Sequence, residues 1–596
     1  MVVDFYNNNL EKLEQELAKL SRRSRRISWF RLALFLAFGV TVFYFFKLGY
    51  SVLFLILALL LLGLFVFIAL KHAKLEAYMQ FLSSKIVVNR DELQFLNHDY
   101  AKRYSGQKFE KLNPFLSVDF TVFGDHSLFQ YLNRCATAAG QQLLARHLTM
   151  PDKLPLHITN KQKAIAELKD NTDFIQDFQA YSKQILPNNN DMQFLVDWAK
   201  QTTASSKWSW ILAISMGVVN VLWIVLSSVG VLDWALIIIP IVVSQTIIFL
   251  NRKKSANYNT ISNDIVLSNF RHFEHLLQLI ENKQFESLSI RELRLALNQQ
   301  TMASARLAKL IRLLNIAELQ NFGLVSILLN SVLFTDLLIY VALNEWKKEN
   351  STNLEQWIAT VAEMEVLISL ATFAFNNTEQ VSFPELATEA FQLQAEEIGH
   401  PLIHPAERVS NNFTMGGAPS IQIITGANMA GKSTFLRTVA VNLILASCGA
   451  PVVARKMRFT PCDILSSIKV HDSLAKHESY FYAELSRLKD IVEHVEHNPT
   501  TLVILDEILR GTNTKDKQTG SLGILEKLIK LNAVVMIATH DLSIGEMETL
   551  YPTIAKNSCF EVELHDDQLY FDYKIKPGIS KKLNASYLLH KMGLID

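Results

Sequence analysis

The sequence predicts three kinds of structure in one chain: an α/β domain towards the C-terminal end, an all-α body ahead of it, and two hairpins of transmembrane helices. Three observations carry this. The first is Gly426-Ala427-Asn428-Met429-Ala430-Gly431-Lys432-Ser433-Thr434, set between an apolar run (Ile421, Ile423, Ile424) and an amphipathic segment (Phe435, Leu436, Val439, Leu443). The second is a buried-strand pattern, Thr501 to Leu505, that ends in Asp506-Glu507. The third is four long apolar runs in two pairs, which explain an apolar share of 49%, high for a water-soluble enzyme.

Residues 1–26 read as a basic amphipathic helix. Leu10, Leu13, Leu17 and Leu20 keep an a/d spacing for two heptads, which leaves a membrane-surface helix and a weak dimer contact equally open. Arg22, Arg23, Arg25 and Arg26 after it suit anionic headgroups.

Residues 27–70 form the first hairpin. Val52 to Leu70 is an unbroken apolar run long enough to span a hydrocarbon core. Ile27 to Phe46 is interrupted only by Ser28, Arg31 and Thr41, and Arg31 lies near enough to one end to snorkel to the interface. Lys47 to Ser51 make the turn.

Residues 71–112 read as a helical linker and 113–207 as the first part of a helical core. Residues 208–250 make the second hairpin, Trp208 to Leu226 and Trp234 to Leu250, with Trp208, Trp210 and Trp234 as interfacial anchors. Asn220, Pro240 and Gln245 weaken that reading, and a buried pair of core helices is its alternative. Residues 251–390 continue the helical core, and 391–596 hold the α/β domain. Phe322 to Leu343 invites a fifth span. It carries Asn330, Thr335 and Asp336 and is read as buried core.

Both hairpins have basic outer flanks: the four arginines, Lys71 and Lys74 around the first; Lys200, Lys207, Arg252, Lys253 and Lys254 around the second. The turns hold a lone Lys47 and no basic residue respectively. The positive-inside rule therefore predicts a multi-pass protein of the cytoplasmic membrane, with both termini and the α/β domain in the cytoplasm. A polar N-terminus and a paired second span argue against a signal peptide. Net charge of +1 gives no global pull toward nucleic acid, though it leaves room for a local basic face. Cys135, Cys448, Cys462 and Cys559 lack metal-ligand spacing and are expected to be free thiols without zinc.

The loop at 426–434 fits G-x-x-x-x-G-K-[ST], the phosphate-cradling P-loop. Its glycines, with Asn428 and Met429 between them, let backbone N–H groups curl around phosphate oxygens, and the helix start at Lys432–Thr434 adds a positive dipole end. Lys432 is expected at the β- and γ-phosphates and Ser433 on Mg²⁺. Asp506 and Glu507 form a Walker B pair, Asp506 to hold Mg²⁺ and Glu507 to orient or deprotonate the lytic water. ATP and Mg²⁺ are the implied cofactors.

The wording around these motifs resembles the MutS family. Ile424 to Arg437 is similar to its P-loop, including the Asn-Met pair. Leu505-Asp506-Glu507-Ile508-Leu509-Arg510-Gly511-Thr512-Asn513-Thr514 resembles its Walker B and following loop, with Asn513 in place of Ser. Ala538-Thr539-His540-Asp541 resembles its Ala-Thr-His switch. Ser479-Tyr480-Phe481-Tyr482-Ala483-Glu484-Leu485 resembles its Ser-Thr-Phe-x-x-Glu-Met segment. Phe123 to Arg134 resembles the start of its core domain, the stretch from Asn257 to Phe375 its core and lever helices, and Gly399-His400-Pro401-Leu402 the entry to its ATPase domain.

The resemblance implies an α/β P-loop ATPase domain of the ABC type, an all-α core and lever domain, and a homodimer through the ATPase domains. It gives His540 a role in sensing the γ-phosphate or positioning water, and Ser479 a contact to the partner's nucleotide. It also implies a DNA partner, mismatched, damaged or branched.

Against that, no Phe-x-Glu motif stands in the first 112 residues, where Phe109-Glu110 is adjacent, and the hairpins occupy the space of a mismatch-reading domain. A membrane scaffold or remodeller that no longer binds DNA is the alternative reading. An ABC-type transporter is weaker, since no Leu-Ser-Gly-Gly-Gln segment occurs.

Overall fold

The computed structural model describes residues 2–49, 51–185, 191–201, 207–233, 236, 238–239, 242–244, 246, 264–298, 301–319, 330, 333–387, 390–427, 429–468, 480–498, 500–565 and 568–580. The chain opens with two very long helices, α1 (Val2–Lys47) and α2 (Val52–Leu96), packed antiparallel. The expected boundaries at 26/27 and 70/71 are not breaks: each helix runs through them. No glycine or proline sits where it would stop either helix short. Gly39 and Gly63 lie inside them and meet nothing a Cβ would strike.

The upper halves of α1 and α2 expose their apolar side chains. Within the most apolar stretch of each helix, 11% of α1 and 6% of α2 is buried. The lower halves join the body of the protein. Tyr6 of α1 is buried and its hydroxyl donates to Asn376 Oδ1 at 2.8 Å, while Phe5 meets Phe375 edge-on. The N-terminal helix is thus neither a separate surface helix nor an exposed dimer stripe. Its half-buried leucines lie along the pairing with α2, where Arg90 bridges Glu14 and Tyr78 donates to Glu16.

Arg31 has a partner within the hairpin: it donates from Nη1 to His72 Nδ1 at 2.9 Å, with its guanidinium over Phe65.

The helical body comprises α3 (Pro114–Asp119), α4 (Leu128–Leu132), α5 (Ala138–Thr149), α6 (Pro155–Lys169), α7 (Thr172–Ser182), α8 (Asp191–Lys200), α9 (Lys207–Ser228), α10 (Asp264–Asn282), α11 (Leu288–Leu297), α12 (Ala303–Leu319), α13 (Thr335–Asn350) and α14 (Leu354–Asn376). Helix α14 is the axis, packed by α5, α6 and α11. It is apolar and long enough to cross a membrane, but 78% of its most apolar stretch is buried in the protein, so it is a core helix. Its Glu365 accepts the Ala136 and Thr137 amides at the start of α5, satisfying N–H groups that a helix start leaves open.

Helix α9 covers the first arm of the expected second hairpin and exposes Ile211, Ile214, Val218 and Leu222. Its buried Asn220 donates to Ser244 at 2.9 Å, which explains a polar residue in an apolar run. Trp210 donates to Glu345 of α13 at 2.8 Å. Trp234, Pro240 and Gln245, most of Trp234–Leu250, and residues 322–329 and 331–332 of Phe322–Leu343 lie outside the described residues. The part of that last stretch in α13 buries Ile339, Val341 and Leu343, as core.

The α/β domain holds β1 (Glu385–Leu386), β2 (Gln392–Ile398), β3 (Asn411–Gly416), β4 (Ser420–Gly426), α15 (Lys432–Ser447), β5 (Lys456–Phe459), β6 (Asp463–Ser467), α16 (Tyr480–His497), β7 (Thr501–Asp506), α17 (Thr514–Lys530), β8 (Val534–Thr539), β9 (Ala555–His565) and β10 (Gln568–Pro577). The main sheet has the order β10-β9-β4-β8-β7-β6. Strands β9, β4, β8, β7 and β6 are parallel, and β10 closes the edge antiparallel. β4, β7 and β8 are buried end to end, as unbroken apolar strands covered on both faces should be. One apolar cluster runs from the helical body into the face covered by α15; a second fills the opposite face with Leu488, Ile491, Leu525 and Leu528. The smaller sheet, β1-β5-β2-β3, lies beside the main one.

Candidate nucleotide site

The three central strands end on one edge of the sheet. The P-loop leaves β4, the two carboxylates leave β7, and His540 follows β8. An open parallel sheet binds ligands outside the carboxyl ends of its strands, and this is that edge.

The loop is built by two glycines. Gly426 has φ of 150°, and a Cβ there would stand 2.7 Å from the Phe560 carbonyl oxygen. Gly431 has φ of 103°, faces the Tyr573 ring, and caps α15. Met429 also takes a positive φ, 68°, and is 80% exposed, so it stands off the loop into solvent. Asn428 and Ser479 lie outside the described residues.

Lys432 is folded back into the loop. Its Nζ donates to the carbonyls of Gly426 and Ala427 at 2.8 and 2.9 Å. Burial lowers its pKa from the ordinary lysine value, against the pull of Glu507 and Asp506. Ser433 donates to Asp506 Oδ2 at 2.6 Å, while Asp506 Oδ1 is buried without a hydrogen-bond partner. Burial raises the Asp506 carboxyl above its ordinary range. A buried carboxylate oxygen left open beside a hydroxyl is the donor chemistry of a hard divalent cation. Ser433 and Asp506 therefore fit Mg²⁺. Thr434 follows them and lines the cleft with Gly431, Lys432 and Ser433.

Glu507 and His540 are in contact: His540 Nε2 lies 2.5 Å from Glu507 Oε1. Arg510 Nε is 3.3 Å from Glu507 Oε2. The His540 hydrogen bond, working against burial, brings Glu507 down to about 2. The other ring nitrogen, Nδ1, lies 3.5 Å from Lys432 Nζ. A lysine ammonium only donates, so Nδ1 is the acceptor in this pairing and Nε2 the donor toward Glu507. His540 is thus a direct partner of Glu507 and the link from Walker B to the P-loop.

A cleft of about 530 Å³ opens beside the loop. Its far wall was not legible in the sequence: Ile403, Glu407, Val409, Asn411 and Tyr573 join His400, which had served only to mark a domain entry. β3 and β10 bring that wall together, and Asn411 donates to the Tyr573 carbonyl at 3.0 Å. His400 accepts the Leu402 amide at Nδ1, and burial lowers its pKa to about 4, so it is neutral.

Glu484 was also missed as a working residue. It lies on α16 and accepts the Leu509 amide at 2.6 Å. It thereby holds a loop in which Glu507 and Leu509 both have positive φ, 49° and 60°.

Residues 422–592 match the description MutS domain V, and residues 116–371 match MutS domain III. Among curated proteins, the chain is 31% identical over 248 residues to the DNA mismatch repair protein MutS of Synechococcus sp. (strain JA-2-3B'a(2-13)), covering 40% of this chain and 27% of that one. It is 30% identical over 230 residues to the DNA mismatch repair protein MSH4 of Arabidopsis thaliana, covering 37% of this chain and 28% of that one. The match thus spans little more than a quarter of either relative. Two domains of one family, matched in order over 116–371 and 422–592, the second carrying the site residues, make this chain a member of the MutS family.

Proposed function

We propose that this chain is a membrane-anchored ATPase that binds Mg·ATP at the β4–β7–β8 edge, works as a dimer through its ATPase domains, and engages distorted DNA in a role like mismatch repair. The observation that carries the proposal is the convergence of Lys432, Ser433, Asp506, Glu507 and His540 at one sheet edge beside an open cleft. The relatives' names support the DNA partner. The exposed apolar belts of α1, α2 and α9 support anchoring in a membrane, and the basic flanks support the cytoplasmic membrane with the ATPase on the cytoplasmic side.

Phosphate oxygens would replace the loop carbonyls as acceptors for Lys432, and the loop amides with the start of α15 would take the rest of the negative charge. Ser433 and Asp506 would hold Mg²⁺, which neutralises charge on the β- and γ-phosphates when bound. Glu507 is a weak base at a pKa of about 2. Its task is to orient the lytic water through a free lone pair, and His540 fixes the carboxylate for it. The far wall of the cleft, with His400 and Tyr573, would take the base and sugar. The start of α16, packed through Phe481 on Gly511, is the segment a partner subunit would meet.

A second reading, an ATP-driven membrane scaffold, is favoured by one observation: α1 runs unbroken from the exposed belt to the end of α14. ATPase and DNA-binding assays on the detergent-purified chain test the choice. Homoduplex, mismatched and branched DNA would be compared at two salt concentrations, because phosphate contacts alone give salt-dependent background. ATP-modulated preference for distorted duplex is the expected result. Intact ATPase with no DNA binding at low salt would move the chain to the scaffold reading.

A further inference from the structure

We propose that the base of the first hairpin is a headgroup-binding collar that selects anionic phospholipids, an inference that rests on the membrane anchoring proposed above. Its geometry follows from a buried polar lock. His72, 2% exposed, receives Arg31 Nη1 on Nδ1 at 2.9 Å. An arginine only donates, so Nδ1 accepts and Nε2 carries the proton, which reaches Ser24 Oγ at 2.9 Å and Ser28 Oγ at 3.4 Å. The lock sets residue 72 of α2 opposite residues 24–28 of α1.

That register brings two separate basic clusters to one level. Arg22, Arg23, Arg25 and Arg26 of α1 come beside Lys71 and Lys74 of α2, and all six are exposed. At about 1.5 Å of rise per residue the six fall within a slab roughly 8 Å deep. Glu76 stands at the lower edge of the slab, 3.5 Å from His72 Nδ1; no other acidic residue occurs between Glu16 and it, and none of the six has a carboxylate partner among the described residues. Six cations so close repel one another unless anions join them.

The position of the collar names the anion's source. Immediately above it the apolar belt begins: Trp29 is 72% exposed, and Phe30, Phe67 and Leu70 are exposed with it. From Ile27 to Phe46 the belt is about 30 Å long, the thickness of a hydrocarbon core. A ring of cations against the edge of such a belt faces lipid phosphates. A nucleic acid on the same cations would leave Trp29 and Phe30 in water.

Each contacting cation is expected to enrich an anionic lipid roughly fivefold over a zwitterionic one. The test uses the full chain in nanodiscs of phosphatidylcholine with a minority of phosphatidylglycerol, one or the other brominated on its acyl chains. Quenching of Trp29 is read as the difference from Trp29→Phe. Stronger quenching by brominated phosphatidylglycerol is expected. It should equalise when the six cations become Gln, and weaken in the milder Lys71→Gln/Lys74→Gln pair, which keeps the arginines. Equal quenching by both lipids in the unaltered chain overturns the collar and leaves the anchoring intact. No quenching by either lipid overturns the anchoring and the collar with it. Loss of the phosphatidylglycerol preference on adding duplex DNA would make the collar a nucleic-acid surface and overturn the lipid assignment.

Discussion

Glu507 is held by two partners of unequal grip. His540 approaches to 2.5 Å and Arg510 to 3.3 Å, from a side chain 42% exposed. Two predictions follow at this scale. Glu507→Gln should retain ATP binding and lose turnover by about 10²–10⁴-fold, as loss of a group acting on the reacting water does. Fluorescent-nucleotide titration beside steady-state hydrolysis separates the two, and near-normal turnover would remove Glu507 from the chemistry.

Glu507 is depressed to about 2, first by the His540 hydrogen bond, so it stays ionised through any working pH. Its contribution to stability is present above the ordinary carboxylate value and is lost as pH falls through about 2. His540→Ala removes the leading cause, and the Glu507 pKa should rise toward 4.5. A new acid limb should then appear in the hydrolysis profile, and an unchanged profile would show that His540 does not set this carboxylate.

These residues were legible because their chemistry is local. Lys432 and Ser433 are adjacent at the start of the helix that follows one apolar strand, and Asp506 and Glu507 are adjacent at the end of another. His400, Asn411 and Tyr573 were not legible as one wall, because strands far apart in sequence place them and no spacing links them. Only the tertiary fold shows that Asn411 and the Tyr573 carbonyl meet.

Among the elements, α16 couples two motifs that the sequence presents as separate. Its Glu484 accepts the Leu509 amide within the loop after Walker B. Non-glycine residues at positive φ persist only where neighbours hold them. Glu484→Ala should let Glu507 and Leu509 relax and lower kcat with little change in KM, whereas Glu484→Gln keeps an acceptor oxygen and should recover most of the rate. Equal loss in both variants would assign Glu484 a charge role instead.

The first hairpin was legible as two apolar runs with basic flanks, because those features lie along the chain. The partner of the leucine stripe in α1 was not. An a/d spacing looks the same whether it faces a membrane, a second copy or the chain's own α2, and the answer here is α2. The partner of Arg31 was hidden for a similar reason: His72 is 41 residues away.

At the scale of the molecule, the hairpin meets the helical body at a buried charge cluster. Glu92 of α2 is paired with Arg103 at 3.0 Å and with Arg134 at 2.9 Å, and accepts Asn376 Nδ2 at 2.7 Å. Asn376, the last residue of α14, also receives Tyr6. Burial works to raise the Glu92 carboxyl, yet the two arginines hold it at about 2. Glu92→Gln should leave two guanidinium groups without their counter-charge and destabilise the junction by about 3–5 kcal/mol. Hydrogen exchange of the amides in residues 2–9 and 92–96 would detect it as local opening, and unchanged protection would show that the cluster does not hold the junction. The cluster was not read from the sequence, where three charged residues spread over 43 positions look like ordinary surface.

The unbroken α1 has a consequence for how such an enzyme would search. A domain on a slack tether wanders through a volume above its anchor. A domain bolted to a helix has one altitude: from the collar down to Tyr6 is some sixteen residues, about 24 Å of rigid rise. With the anchoring proposed above, whatever the helical body engages would be met within a thin layer parallel to the bilayer, as the chain drifts with its lipids in two dimensions.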